Sequence, residues 1–149
     1  MAQVYNRYSP TGSEYIGIRR AVSAHDNDSA VSITMTEASY PSGLIFSLAM
    51  GSATNDIAFT LPAPVAGLEY KFIVSETAGS GVTLTISAPS AILNGVAHCD
   101  DSAEDIAGTN FIMAATKAIL GTQIDVVSDG TLWYIQANCK CDVGDVSTT

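Results

Sequence analysis

No stretch of this chain approaches the ~20 consecutive apolar residues of a membrane-spanning helix, and no basic segment leading into an apolar run opens it. The reading is a chain made in a cytoplasm without a secretory signal. Cations are scarce: six Lys and Arg stand against fifteen Asp and Glu, for a net charge of −9. Nucleic-acid affinity comes mainly from neutralising phosphates with Lys and Arg, so DNA, RNA and anionic membranes are disfavoured as partners. Two histidines leave little material for a catalytic triad, and no nucleophile elbow, phosphate loop or dinucleotide fingerprint is present. Three cysteines, Cys99, Cys139 and Cys141, are an odd number and too few for a disulfide scaffold, which leaves reduced thiols as the first reading. His98 and Cys99 with Cys139 and Cys141 form a weak zinc candidate, because their adjacent and one-residue spacings do not suit tetrahedral closure. No cofactor is expected.

What the chain does have is alternation. Its 149 residues, 47% of them apolar, are enough for one domain with a real core. Only 14% are charged, so much of the surface must be Ser, Thr, Ala and Gly, a composition that suits permanent contacts. From Val31 the apolar positions recur every second residue: Val31, Ile33 and Met35, then Leu44, Phe46, Leu48 and Met50, then Ile57, Phe59 and Leu61. That is the period of strands with one buried face. Pro62 and Pro64 end the third run. Leu68, Tyr70, Phe72 and Val74 and the run Val82 to Ser87 read as a hairpin whose outward side, Thr83, Thr85 and Ser87, is uncharged. Asn94-Gly95 reads as a tight turn, Asp100 to Asp105 as an acidic loop, and Phe111 to Leu120 as a strand.

The strongest local signal runs from Gln123 to Gln136, two apolar runs joined through Asp129-Gly130. Asp-Gly favours a two-residue type I′ hairpin, which sets Val127 opposite Leu132 and Ile124 opposite Ile135. Ile124, Val126, Trp133 and Ile135 then share the core face, and the single tryptophan is a packing anchor. The expected fold is all-β, one sandwich or barrel-like domain of jelly-roll or tulip-like form, over residues 31–138. It follows an extended N-terminal arm, residues 1–30, and precedes a tail, 139–149.

The arm differs in charge from the body: three arginines and one acid precede residue 25, against three lysines and fourteen acids after it. Tyr5, Arg7, Tyr8, Tyr15, Arg19 and Arg20 are its candidates for gripping a neighbouring subunit, since Tyr and Arg dominate interface hot spots. His25-Asp26-Asn27-Asp28 at its end reads as a solvated turn.

The run from Val127 through Asp129 and Gly130 to Trp133 and Tyr134 resembles the Val-Ser-Asp-Gly-Thr-Asn-Trp-Tyr run near the C-terminal end of β-rich structural proteins of tailed bacteriophages. Here Leu132 stands where that run has Asn. Leu68 to Phe72, Val82 to Ile86, the acidic loop and Gly121 to Val127 are similar in order to small capsid decoration, or cement, proteins. The resemblance covers roughly residues 65 to 137. It implies a non-enzymatic, commonly trimeric β domain on the exterior of the virion capsid, bridging major capsid protein subunits, with no catalytic residues to transfer. The competing expectation is a head-fibre or tail-fibre tip that binds a host glycan or receptor, with Tyr134 and Tyr40 as exposed aromatic candidates. A hydrolase built on Asp100 and Asp101 ranks third.

Overall fold

A computed structural model describes residues 20–52, 54–89, 92–100, 103–115, 117–140 and 146–149, and among them there are twelve strands and no helix. The first six are β1 (Val22–Asp26), β2 (Val31–Thr34), β3 (Leu44–Ala49), β4 (Ile57–Thr60), β5 (Glu69–Glu76) and β6 (Leu84–Ser87). They alternate between two facing sheets: β1, β3 and β5 pair in parallel in one, β2, β4 and β6 in parallel in the other. The chain therefore winds as three stacked coils, each returning to the same sheet after about 26 residues, as from Val31 to Ile57 and on to Leu84.

The local sequence explains the winding. Val31-Ser-Ile-Thr34, Ile57-Ala-Phe-Thr60 and Leu84-Thr-Ile-Ser87 each place two apolar side chains inward and two small ones outward. Every coil thus adds the same inward pair to the growing core. One corner is held by Asn27, which is 1% exposed. Its side-chain amide donates to the carbonyls of Ser52 (2.9 Å) and Asn55 (3.0 Å), and its oxygen accepts from Ser52 N–H (2.9 Å). The segment expected as a solvated turn is instead a buried staple between the first and second coils, with Asp26 and Asp28 exposed beside it.

The remaining strands, β7 (Leu93–His98), β8 (Ala103–Gly108), β9 (Asn110–Met113), β10 (Gln123–Ser128), β11 (Trp133–Asn138) and β12 (Val146–Thr148), close the stack with mostly antiparallel pairs. The seven-stranded sheet runs β1-β3-β5-β10-β11-β7-β8 and the five-stranded sheet β12-β9-β6-β4-β2. Between them lies one core. Phe46 and Phe72 stack at 4.9 Å, Phe59 crosses from the other sheet at 5.0 Å to each, and all three are fully buried. Trp133 packs against Tyr70 and donates its indole N–H to the Pro62 carbonyl at 3.1 Å. Its polar atom is thus satisfied inside an apolar environment.

The all-β sandwich expected from the alternation is present, but several details of its course differ. Strands of a jelly roll pair antiparallel, whereas the first three coils here pair in parallel. The runs at 68–74 and 82–87 are not a hairpin, because the corner at 78–81 carries the chain across to the opposite sheet. Asn94-Gly95 is no turn. It lies within β7, where Gly95 is opposite Ile135, and a Cβ there would collide with the Ile135 carbonyl. That close approach, not a reversal of the chain, is what requires glycine. Glu104 and Asp105 of the acidic segment belong to β8, and among the described residues of the run from Phe111 to Leu120 only 111–113 are strand. β1 falls within the stretch read as an arm and β12 within the stretch read as a tail, so both contribute to the sandwich.

Candidate functional site

The hairpin expected between Gln123 and Gln136 forms, with its four inward residues as expected: Ile124, Val126, Trp133 and Ile135 are all 3% exposed or less. Its register is displaced. Val126 pairs with Ile135 and Ser128 with Trp133, so the loop is the four residues 129–132 in place of a two-residue turn. The Asp129 carboxylate causes this: Oδ1 accepts the N–H groups of Thr131 and Leu132, both at 2.8 Å, and Oδ2 accepts the Tyr134 hydroxyl at 3.0 Å. Gly130 takes the left-handed backbone (φ +99°) that the loop needs. Those backbone donors from Leu132 and Thr131, then the Tyr134 hydroxyl, hold the Asp129 carboxyl below its ordinary value, and the same bond pushes the Tyr134 phenol up. The displacement by two positions keeps every side chain on its expected face, which is why the core reading survives it.

The two outer faces of the sandwich are chemically unlike. On the seven-stranded sheet, neighbouring strands line up Glu69, Val127, Tyr134 and Asn94 in one row and Lys71, Asp125, Gln136 and Val96 in the next. Lys71 meets both Asp125 oxygens at 3.0 Å, and Arg20 meets Glu69 at 2.7 Å. A groove of about 340 Å³ runs along these rows. On the five-stranded sheet the rows read Ser32, Ala58, Thr85, Ile112 and Ser147, then Thr34, Thr60, Ser87 and Asn110. None of these outward side chains is charged. The uncharged character read from Thr85 and Ser87 therefore extends along both rows.

Comparison with family models, curated proteins and solved structures finds no match to this chain. The site residues must therefore be placed on geometry alone. Of the arm candidates, Arg20 pairs with this chain's own Glu69, while Tyr5, Arg7, Tyr8, Tyr15 and Arg19 lie outside the described residues. Tyr134 is 42% exposed, but Tyr40 is half-buried, its ring 5.7 Å from Phe46 and its carbonyl accepting the Tyr70 hydroxyl. The proposed aromatic platform is thus one ring, on a sheet face and not at a loop tip.

His98 and Cys99 do meet the tail: Cys139 N–H donates to the His98 carbonyl at 2.8 Å, one residue past the pair Asn138 and His98. Cys139 is buried and Cys99 half-buried against the core, while Cys141 lies outside the described residues. Among the described residues no three His, Cys, Asp or Glu side chains converge as metal ligands. No helix of the described residues is long and apolar enough to cross a membrane.

Sequence reasoning missed the groove because its polar residues come from strands far apart in the chain, and Lys71 is paired with Asp125 only through the β5 to β10 register. It missed the coils although a signal existed. The apolar-small-apolar-hydroxyl tetrad at 31–34, 57–60 and 84–87 is an internal repeat at nearly constant spacing, its starts lying at residues 31, 57 and 84.

Proposed function

We propose that this chain is a non-enzymatic virion structural protein that binds the outer surface of a phage head and bridges major capsid protein subunits. The observation that carries the reading is the five-stranded face, nine outward strand positions without a charge. A surface without charges desolvates at low cost against another protein, and repetition around a shell adds weak contacts through effective concentration. The resemblance of the 127–134 run to phage structural proteins points to the same setting. Bridging by copies of the chain, as homotrimers, belongs to this proposal.

The test is binding of purified chain to undecorated heads of the phage that encodes it, with light scattering of the free chain alongside. Saturation at a fixed copy number and a raised disruption temperature are expected. Thr85→Lys, in the middle of the uncharged face, should lower occupancy at least tenfold. Full occupancy by Thr85→Lys would remove this face from the interface, and no binding by the unmodified chain would overturn the capsid assignment.

A further inference from the structure

The opposite face has no part in that reading, and its chemistry is of another kind. Five large apolar side chains are conspicuously exposed among the described residues, and only two of them, Val127 (46%) and Tyr134 (42%), are register partners, side by side on adjacent strands. They line the groove of about 340 Å³, near the lower end of the size range for small-ligand sites. The Tyr134 ring is held in place, because its hydroxyl is tied to Asp129 and Asp129 is itself fixed by the loop N–H groups.

The groove's polar rim is balanced. Arg20 lies against Glu69, both lining the groove, while Asp125 in the lining is paired with Lys71 on the neighbouring strand and Gln136 stands opposite Asp125 in the same row. An anionic ligand would have to displace a carboxylate from its cation, and a cationic one would have to displace a cation. A neutral ligand need do neither: it can accept from the Arg20 guanidinium or the Gln136 amide and donate to the carboxylates while the pairs stay intact. Carboxylate, guanidinium and amide groups are planar and two-pronged, so each can engage two adjacent hydroxyls at once. The aromatic and aliphatic floor suits a ligand with an apolar C–H face.

We propose that the groove on the seven-stranded sheet binds a neutral saccharide, one or two sugar units with vicinal hydroxyls, stacked on Tyr134 and hydrogen-bonded by the Arg20 and Glu69 pair, Asp125 and Gln136. The proposal is independent of capsid attachment, which concerns the other face. A shallow groove of this size gives a single-site dissociation constant on the order of millimolar, strengthened when copies are presented together.

The experiment is an array of immobilised neutral and sialylated oligosaccharides probed with the full chain, followed by titration of the best neutral glycan with unmodified chain, Tyr134→Ala and Tyr134→Phe. Neutral glycans should be bound in preference to sialylated ones. Tyr134→Ala should weaken binding at least tenfold, whereas Tyr134→Phe, which keeps the ring, should stay within about threefold. Thr85→Lys on the far face should bind as the unmodified chain does, and unfolding midpoints confirm that each variant is folded. An array with no neutral glycan bound, a preference for sialylated glycans, or unchanged binding by folded Tyr134→Ala would each overturn the proposal.

Discussion

The two outer faces are built from the same alternating strands, yet one is a field of uncharged hydroxyls and methyls and the other a groove ringed by ion pairs. The difference follows from how their strands are joined. The five-stranded face takes three of its strands from successive coils, which repeat one tetrad and so repeat one surface chemistry. The groove face inserts the β10 to β11 hairpin between β5 and β7, bringing together residues from distant parts of the chain. Repetition yields a uniform surface suited to broad contact. Insertion yields a heterogeneous one suited to a small ligand.

The comparison breaks most sharply at Gly95, where β7 and β11 approach too closely for a side chain. Gly95→Ala forces the strands apart beneath the groove, and we expect a loss of about 2–3 kcal/mol in stability, the range of overpacking and strand strain. Asn94→Ala, one residue away but directed outward, should stay within about 0.5 kcal/mol. Urea unfolding with an unchanged m value checks both. Equal effects from the two variants would mean that the close approach does not limit the position.

Next comes Thr85→Lys, which separates surface chemistry from stability. Thr85 is half-buried on the outward side of β6, flanked by Ala58 and Ile112. A lysine there can extend its charge into water, so the stability change should be within about 1 kcal/mol while capsid occupancy falls. A loss of several kcal/mol would mark the position as part of the packed structure and not of a docking face.

How much of this was legible beforehand depends on whether a feature is local. Alternation is local, so the β class, the inward set Ile124, Val126, Trp133 and Ile135, and the core phenylalanines could be read directly. Strand order is not, because whether β6 folds back on β5 or crosses to the other sheet depends on the path of a four-residue corner and on which apolar face is available. Asn94-Gly95 misled for a related reason: the dipeptide signals a turn only if nothing else requires glycine, and the Ile135 carbonyl does. The hairpin loop shows the intermediate case. Asp-Gly predicted a reversal in the right place, but the Asp129 side chain competed for the backbone donors and lengthened the loop.

That competition supplies the smallest effect and the finest test. Asp129 is ionised in the folded loop and held below its ordinary value by the Leu132 and Thr131 N–H groups and the Tyr134 hydroxyl. A carboxyl depressed on folding contributes stability that is fully present above its unfolded value, ~3.9, and is lost as pH falls through the folded one. Asp129→Asn should therefore be slightly less stable than the unmodified chain at neutral pH, and the gap should close as pH falls below about 4. His25 titrates in another window. Burial against Phe46 and Phe59 lowers its pKa, opposed by Asp26, so its neutral ring favours the fold above ~6.5 and that contribution declines as pH falls below it. Because both chains carry His25, its contribution cancels in the difference between their urea midpoints. A gap that stays constant down to pH 3 would mean that the loop is organised by the shape of residue 129 and not by its charge, and the anchoring of Tyr134 over the groove would then be insensitive to acid.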